Sequence, residues 1–352
     1  MPTTIELVDK GDCRSIGLDF TSQCFAFSPD YLGAIATARS GTAGIFVCQD
    51  DDGAAYVPVV LFRRRFLALA TLLAAPSDAL GNPLKPARQR RMLTAVVEHA
   101  RARRLAHRFT QQMNWALCDA APVGAKSCAF GSYRLRLDQP LDSIWSGLHQ
   151  KHRNAIRTAE RAGVVIRHGP DQFDISFRIY SETMARNGMG SDSREFLEAM
   201  LRSRDFDVFC AVSYDGDRPL SAIFAPYTRQ GAYYLHGGTT DEAGKGGANN
   251  LLHYQAIRTF HEAGARCYDF VGARLSADIG ERLAGIQRFK ARFGGQLQEG
   301  LLWKHDVSNA HCLAYDALVH LRSRAANKPP SQDIIDQESR ISDGRAARTP
   351  RL

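Results

Sequence analysis

Runs rich in apolar residues at 44–49, 55–62 and 66–73 read as strands, and Asp50-Asp51-Asp52-Gly53 supplies a hairpin turn between the first two. Ser28-Pro29-Asp30 is a helix start, with Ser as N-cap and Pro at the first helical position; Gly41 stops that helix after residue 40. A basic helix over 88–104 and a strand over 107–112 complete a first module, 1–130. In the second module, 131–322, a strand at 132–137 precedes one long helix, 141–162, ended by Gly163. Strand 164–168, helices 172–186 and 194–201, and strands 207–214, 220–227 and 232–236 follow. The remainder reads as helix 249–263, strand 266–271, helix 286–293, strand 296–304 and helix 310–324. Strands alternating with helices in this way predict an α/β (α+β) chain of two related modules, each a mixed sheet covered by helices. Residues 323–352 are polar, contain Pro329-Pro330 and are expected to be a disordered tail.

Composition narrows the function classes. The chain has 352 residues, 44% of them apolar and 23% charged, as in a globular protein with a real core. The longest apolar run, 66–76, is shorter than the ~18 residues that a membrane span needs, and Arg63-Arg64-Arg65 precedes it. The sequence opens without a basic, apolar leader, so a cytoplasmic protein is expected. Eight cysteines include no CxxC pair, which predicts buried thiols and no metal site. The net charge of +8 suits a polyanionic partner, such as a nucleotide-linked substrate, tRNA or an anionic membrane touched peripherally; it fits Arg-rich codon bias equally. No DNA partner is expected.

Several segments carry candidate chemistry. On helix 141–162, Ile144, Leu148 and Ile156 form the apolar stripe, while Arg153 and Arg157 stand four apart on one face. That face is either simply solvated or a phosphate clamp. The loop 239–248 is rich in Gly around Lys245 and enters a helix at Asn249, where backbone N–H groups can hold a phosphate. His236-Gly237-Gly238 closes a strand. Tyr268-Asp269 lies at another strand end and can either orient an amine or bond a backbone amide. Phe289 and Phe293, four apart, are expected in the core, which turns Lys290 to another face of its helix.

Taken together, Lys151-His152-Arg153 with Ile156-Arg157 and Gly163, Tyr268-Asp269 with Gly272, and Phe289-Lys290 with Phe293-Gly294-Gly295 resemble the Fem family of aminoacyl- and acyltransferases. The resemblance covers about 136–305. It implies tandem acetyltransferase-like (GNAT-like) modules and amide formation on a primary amine of a cell-wall (peptidoglycan) or surface-polysaccharide precursor, nucleotide- or lipid-linked. It implies no tightly bound cofactor. The donor would be a charged tRNA carrying an aminoacyl ester, or else an acyl-coenzyme A; a non-catalytic tRNA- or glycan-binding module is the reading from another class. By resemblance, Lys290 sits at the donor ester and stabilises developing negative charge, with Asp269 and Tyr268 orienting the acceptor. Lys151, Arg153, Arg157, Arg186, His236, Gly237, Asn249 and Phe289 would line the substrate. Two departures from the Fem pattern are an opening helix with no Lys or Arg before Arg39 and the lack of the inserted coiled-coil arm that some members use to hold tRNA; Asp241 stands where an acetyltransferase coenzyme A loop usually has a leading Gln or Arg.

Overall fold

The computed structural model describes residues 4–244, 246–276, 279–326 and 332–339. Local chemistry starts the elements where the pattern predicts. Ser28 Oγ accepts the Tyr31 N–H at 3.1 Å, so α1 (Pro29–Ala38) follows β1 (Thr4–Asp9) with its cap in place. Gly53, at φ 98°, lets β2 (Thr42–Asp50) turn tightly into β3 (Gly53–Arg64). Next come β4 (Leu67–Leu72), β5 (Ser77–Asp78), α2 (Pro86–Ala102), β6 (Arg108–Phe109) and β7 (Lys126–Arg136).

The single helix expected over 141–162 is two. α3 (Leu141–Gly147) and α4 (Gln150–Arg161) break at Leu148, whose backbone is extended. The Arg153 guanidinium donates to the carbonyls of Ser146 (2.8 Å) and Leu148, and so closes the corner. The chain continues through β8 (Val165–His168), α5 (Phe173–Arg186), α6 (Arg194–Leu201), β9 (Asp207–Asp215), β10 (Arg218–Tyr227), β11 (Ala232–Tyr233) and β12 (His236–Thr239). It finishes with α7 (Ala248–Glu262), β13 (Cys267–Asp269), β14 (Ala273–Arg274), α8 (Gly280–Ala291), β15 (Gln296–Asp306) and α9 (Asn309–Ala325).

The strands of both halves join in one sheet, in the order β1-β2-β3-β4-β6-β15-β7-β13-β11-β10-β9-β8. Each half contains one parallel pair with a helical crossover: β4 and β6 around α2, and β11 and β13 around α7. This repeated unit fits two related modules. β15 is the weld. Its residues 296–304 pair with β7, and His305 and Asp306 pair with β6.

The core also crosses between the halves. Phe25, fully buried, packs edge-on to Tyr31 (4.9 Å), Phe206 (5.7 Å) and Tyr233 (5.3 Å). Truncating such a residue costs about 3–5 kcal/mol. Six of the eight cysteines are buried, Cys128 and Cys267 are partly so, and all are free thiols. Of the expected tail, 332–339 includes a helical segment docked on the body. Ile335 is buried against Phe130 and Leu302, and Lys304 pairs with Asp333 (2.8 Å) and Asp336 (2.5 Å). The apolar pair Ile334-Ile335 gives this stretch something to bury; the rest of the tail from residue 340 lies outside the described residues.

Candidate active site

β11 and β13 stay together for two residue pairs, Ala232 with Tyr268 and Tyr233 with Asp269. The Tyr234 N–H still donates to the Asp269 carbonyl at 2.9 Å, and then the strands part. β12 keeps to β10, with His236 opposite Phe224, while the other strand bends away to rejoin β7 through β14. The bend is built from Val271 and Gly272, both at positive φ (48° and 76°). For Gly272 this conformation is easy; for β-branched Val271 it costs about 1–3 kcal/mol.

Two buried charged side chains hold that bend. Asp269 is fully buried and accepts from the Ser132 hydroxyl, from Arg134 Nε–H at 2.7 Å and from the Val271 N–H at 2.8 Å. Lys290, 8% exposed, donates to the Val271 carbonyl and to the Gly272 carbonyl at 2.7 Å. Burial pushes the Lys290 ammonium down to about 8, opposed by the negative charge of Asp269. That same carboxylate raises Arg134 above its ordinary range.

On the α7–α8 face of the wedge, Tyr268 Oη and His253 Nδ1 share a hydrogen bond of 3.1 Å. Burial lowers His253 to about 3, so its ring is neutral, and its other nitrogen, Nε2, has no partner among the described residues. Nor does the buried Oδ1 of Asn249, one turn earlier on the same face of α7. Aromatic rings enclose them: Phe289 lies 5.3 Å and Phe293 5.2 Å from the His253 ring. Gly247 precedes α7 at φ 76°, and a Cβ there would stand 2.1 Å from the Ala155 carbonyl, so α4 abuts the start of α7. Two orphaned buried polar atoms on one helical face, near a buried ammonium, suit a polar ligand.

On the opposite face a cleft of about 1250 Å³ opens between the halves. Arg39, Arg64, Trp115, Tyr180, His236 and Val271 are among its walls. His236 stacks edge-on to Tyr180 at 4.9 Å, and its Nδ1 lies 3.7 Å from Asp192 Oδ2. Burial lowers it to about 4, so it is neutral near pH 7.

Of the sequence-predicted residues, Asp269 and Lys290 meet at the 271–272 bend, Tyr268 and Phe289 meet at the His253 ring, and Asn249 stands one turn before His253 on α7. His236 and Gly237 lie on the other strand of the wedge, where a Cβ on Gly237 would stand 2.8 Å from the Ala222 carbonyl of the neighbouring strand and also crowd the Tyr234 ring. The cationic residues do not join them as a clamp. Arg153 is committed to the α3–α4 corner, and Arg157, exposed, lies over the Trp145 ring at 5.4 Å. Lys151 is exposed on α4. Arg186 donates to Thr183 Oγ1 (3.1 Å) and to the Thr239 carbonyl, and pairs with Asp241 at 3.2 Å, so it anchors the end of β12. The sequence reading missed His253, Ser132, Arg134 and Val271. For His253 the signal was a histidine on the apolar face formed by Leu252, Ala256 and Phe260; the other three are recognisable only through the register of β7 and β13.

Residues 146–290 match the family described as acetyltransferase (GNAT) domain. The crystal structure of FemX superposes with a TM-score of 0.63 at 11% identity, covering 85% of this chain and 96% of that one. The C-terminal domain of a protein designated lysylphosphatidylglycerol synthetase, from Agrobacterium fabrum, gives 0.54 at 15% identity, covering 88% and 97%. No curated protein sequence matches the chain. Residues 146–290 thus carry a GNAT-type acetyltransferase domain, and the fold of the chain is the one seen in FemX.

Proposed function

We propose that this chain transfers an acyl or aminoacyl group from an activated ester or thioester to a primary amine of a cell-envelope precursor. The donor enters the wedge from the α7–α8 face, with its polar groups against Asn249 and His253. The acceptor amine approaches through the cleft past His236 and Val271. The amine nitrogen attacks the donor carbonyl carbon, a C–N bond forms, and the carbonyl electrons move to oxygen. Collapse breaks the bond to the thiolate or alkoxide, which leaves with the proton lost by the amine. Lys290 supplies the local positive charge: two of its three N–H donors hold the 271–272 carbonyls, which leaves one for the developing oxyanion. His236 is too weakly basic to deprotonate an ammonium, so the amine must arrive neutral.

The observation that carries this reading is the pair of buried atoms Asn249 Oδ1 and His253 Nε2, one turn apart on α7 and without a hydrogen-bond partner among the described residues. The acetyltransferase domain match favours acyl-coenzyme A as donor. The net charge of +8 keeps an aminoacyl-tRNA ester as the second reading. Thermal-shift titration separates them. A coenzyme A thioester should raise the melting temperature of the parent and not of Asn249→Ala. A rise with charged tRNA beyond that with uncharged tRNA would replace the donor, and no rise with either would defeat the proposal.

A further inference from the structure

Among the described residues, no helix is long and apolar enough to cross a membrane, yet α9 turns an apolar face outward. Its inner face is accounted for. Cys312 is buried with Leu67 and Leu69, Tyr315 meets Phe66 at 6.0 Å, and Asp316 pairs with Arg108 at 2.8 Å. Its outer face carries Ala310, Leu313, Ala314, Ala317 and Leu321, positions that fall on one stripe at helical spacing, and all are exposed. Leu313 is 69% and Leu321 65% exposed, the reverse of a helix packed on a globular core. Phe66, 42% exposed at the tip of the β3–β4 hairpin, stands beside α9 against Tyr315 and adds a third large apolar side chain to this side of the molecule.

Arginines flank the strip. Arg63, Arg64 and Arg65 form the hairpin tip, and Arg322 and Arg324 stand in the last turn of α9, all exposed. None of these five has a carboxylate within ion-pair distance among the described residues. The only acid in α9, Asp316, is taken by Arg108. An apolar strip between unneutralised arginines complements an anionic lipid surface: the guanidinium groups meet headgroup phosphates while Leu313, Leu321 and Phe66 enter the boundary below them. Three large apolar side chains are few for the hydrophobic centre of a stable dimer. The patch also adjoins the rim of the cleft, because the exposed Arg64 of the hairpin tip and the exposed His320 of α9 are among the lining residues.

We infer that the outer face of α9 and the β3–β4 hairpin tip seat the protein on an anionic phospholipid bilayer, with the cleft mouth at the lipid surface. This deepens the proposed function by making the acceptor amine one borne on a lipid, and it rests on that reading only for this consequence.

The test is co-sedimentation of the full chain with vesicles of phosphatidylcholine alone and of phosphatidylcholine mixed with phosphatidylglycerol, at low and moderate salt. The expected result is binding to the phosphatidylglycerol vesicles alone, fading as salt rises. Arg322→Gln with Arg324→Gln should weaken it about fivefold per arginine. Leu313→Asp with Leu321→Asp should weaken it at least about tenfold. Equal binding to neutral vesicles, no binding, or binding that both double variants leave intact would overturn the inference. So would self-association that Leu313→Asp with Leu321→Asp abolishes, which would assign the face to a second copy of the chain. If the leucine pair fails to fold, the exposed arginine pair still decides. Turnover of a soluble amine by the arginine pair should match the parent, so failure of lipid binding and failure of acyl transfer are read separately.

Discussion

Replacing Asp269 with Asn tests the bend at 271–272 directly. Asn keeps one oxygen, enough for the Ser132 hydroxyl and the Val271 N–H, but presents an NH2 to the Arg134 Nε–H, donor against donor. A lost hydrogen bond between charged groups costs about 1.5–3 kcal/mol. Arg134 keeps a buried charge without its partner, although at 37% side-chain exposure solvent screens part of that penalty. The total is about 2–4 kcal/mol. With an unfolding entropy of ~2.1 cal/mol/K per residue, a chain of 352 residues loses about 1.4 °C per kcal/mol, so the melting temperature should fall by about 3–6 °C. Arg134→Met in the Asp269→Asn background should show a coupling of about 1–2 kcal/mol. Because the Val271 N–H bond helps to hold a left-handed β-branched residue, Val271→Gly should restore up to about 1–2 kcal/mol in that background. The assay is denaturant unfolding of the variants side by side. A loss under about 1 kcal/mol for Asp269→Asn, or Val271→Gly harming the Asp269→Asn variant more than the parent, would refute the account of the bend.

Between about pH 8 and 10.5, Lys290 has released its proton in the folded chain while the unfolded chain still holds one. Stability should therefore rise with pH across that window, and urea midpoints should show the rise vanish in Lys290→Met; parallel curves would sink the assignment. If the ammonium is the working form, transfer rates fall above pH 8 in the parent and not in Lys290→Arg, whose charge persists. Gly247→Ala combines φ 76° with a Cβ 2.1 Å from the Ala155 carbonyl, so a loss of more than ~2 kcal/mol is expected, and an unchanged melting temperature would contradict the α4–α7 contact. Asn249→Leu removes an orphaned oxygen, so it should cost under about 1 kcal/mol in the free protein while cancelling the donor-induced thermal shift; a large loss of stability would mean that Asn249 is structural.

The sequence revealed elements best where local chemistry decides them. Ser28-Pro29 placed α1, Asp50-to-Gly53 placed the first hairpin, and the 194–201 helix lies where the pattern put it. It failed where tertiary contacts override the local signal. Nothing in 141–162 forbids a continuous helix; the break needs Arg153 reaching back to the Ser146 and Leu148 carbonyls and the His149 N–H meeting the Arg292 carbonyl at 2.8 Å. The strand read over 232–236 divides at Tyr234 because its partner leaves at Val271, a residue whose β-branched side chain argues against the conformation it adopts. Lys290 and Asp269 were identified as candidates by motif resemblance. Their geometry was not: Asp269 serves Ser132 and Arg134, more than a hundred residues away in the chain, and only the pairing of β7 with β13 brings them together.

The weld made by β15 has a consequence for synthesis on the ribosome. β6 lies near residue 108 and β7 ends at Arg136, yet the strand that joins them emerges only at 296–306. The amino-terminal half must wait about 160 residues beyond the end of β7 with two unpaired strand edges exposed. Such edges recruit other chains, and long-range pairing of this kind is slow to close. Messages truncated before codon 296 should therefore yield insoluble product even though every residue of the first half is present, and chaperone dependence should end only when β15 clears the exit tunnel.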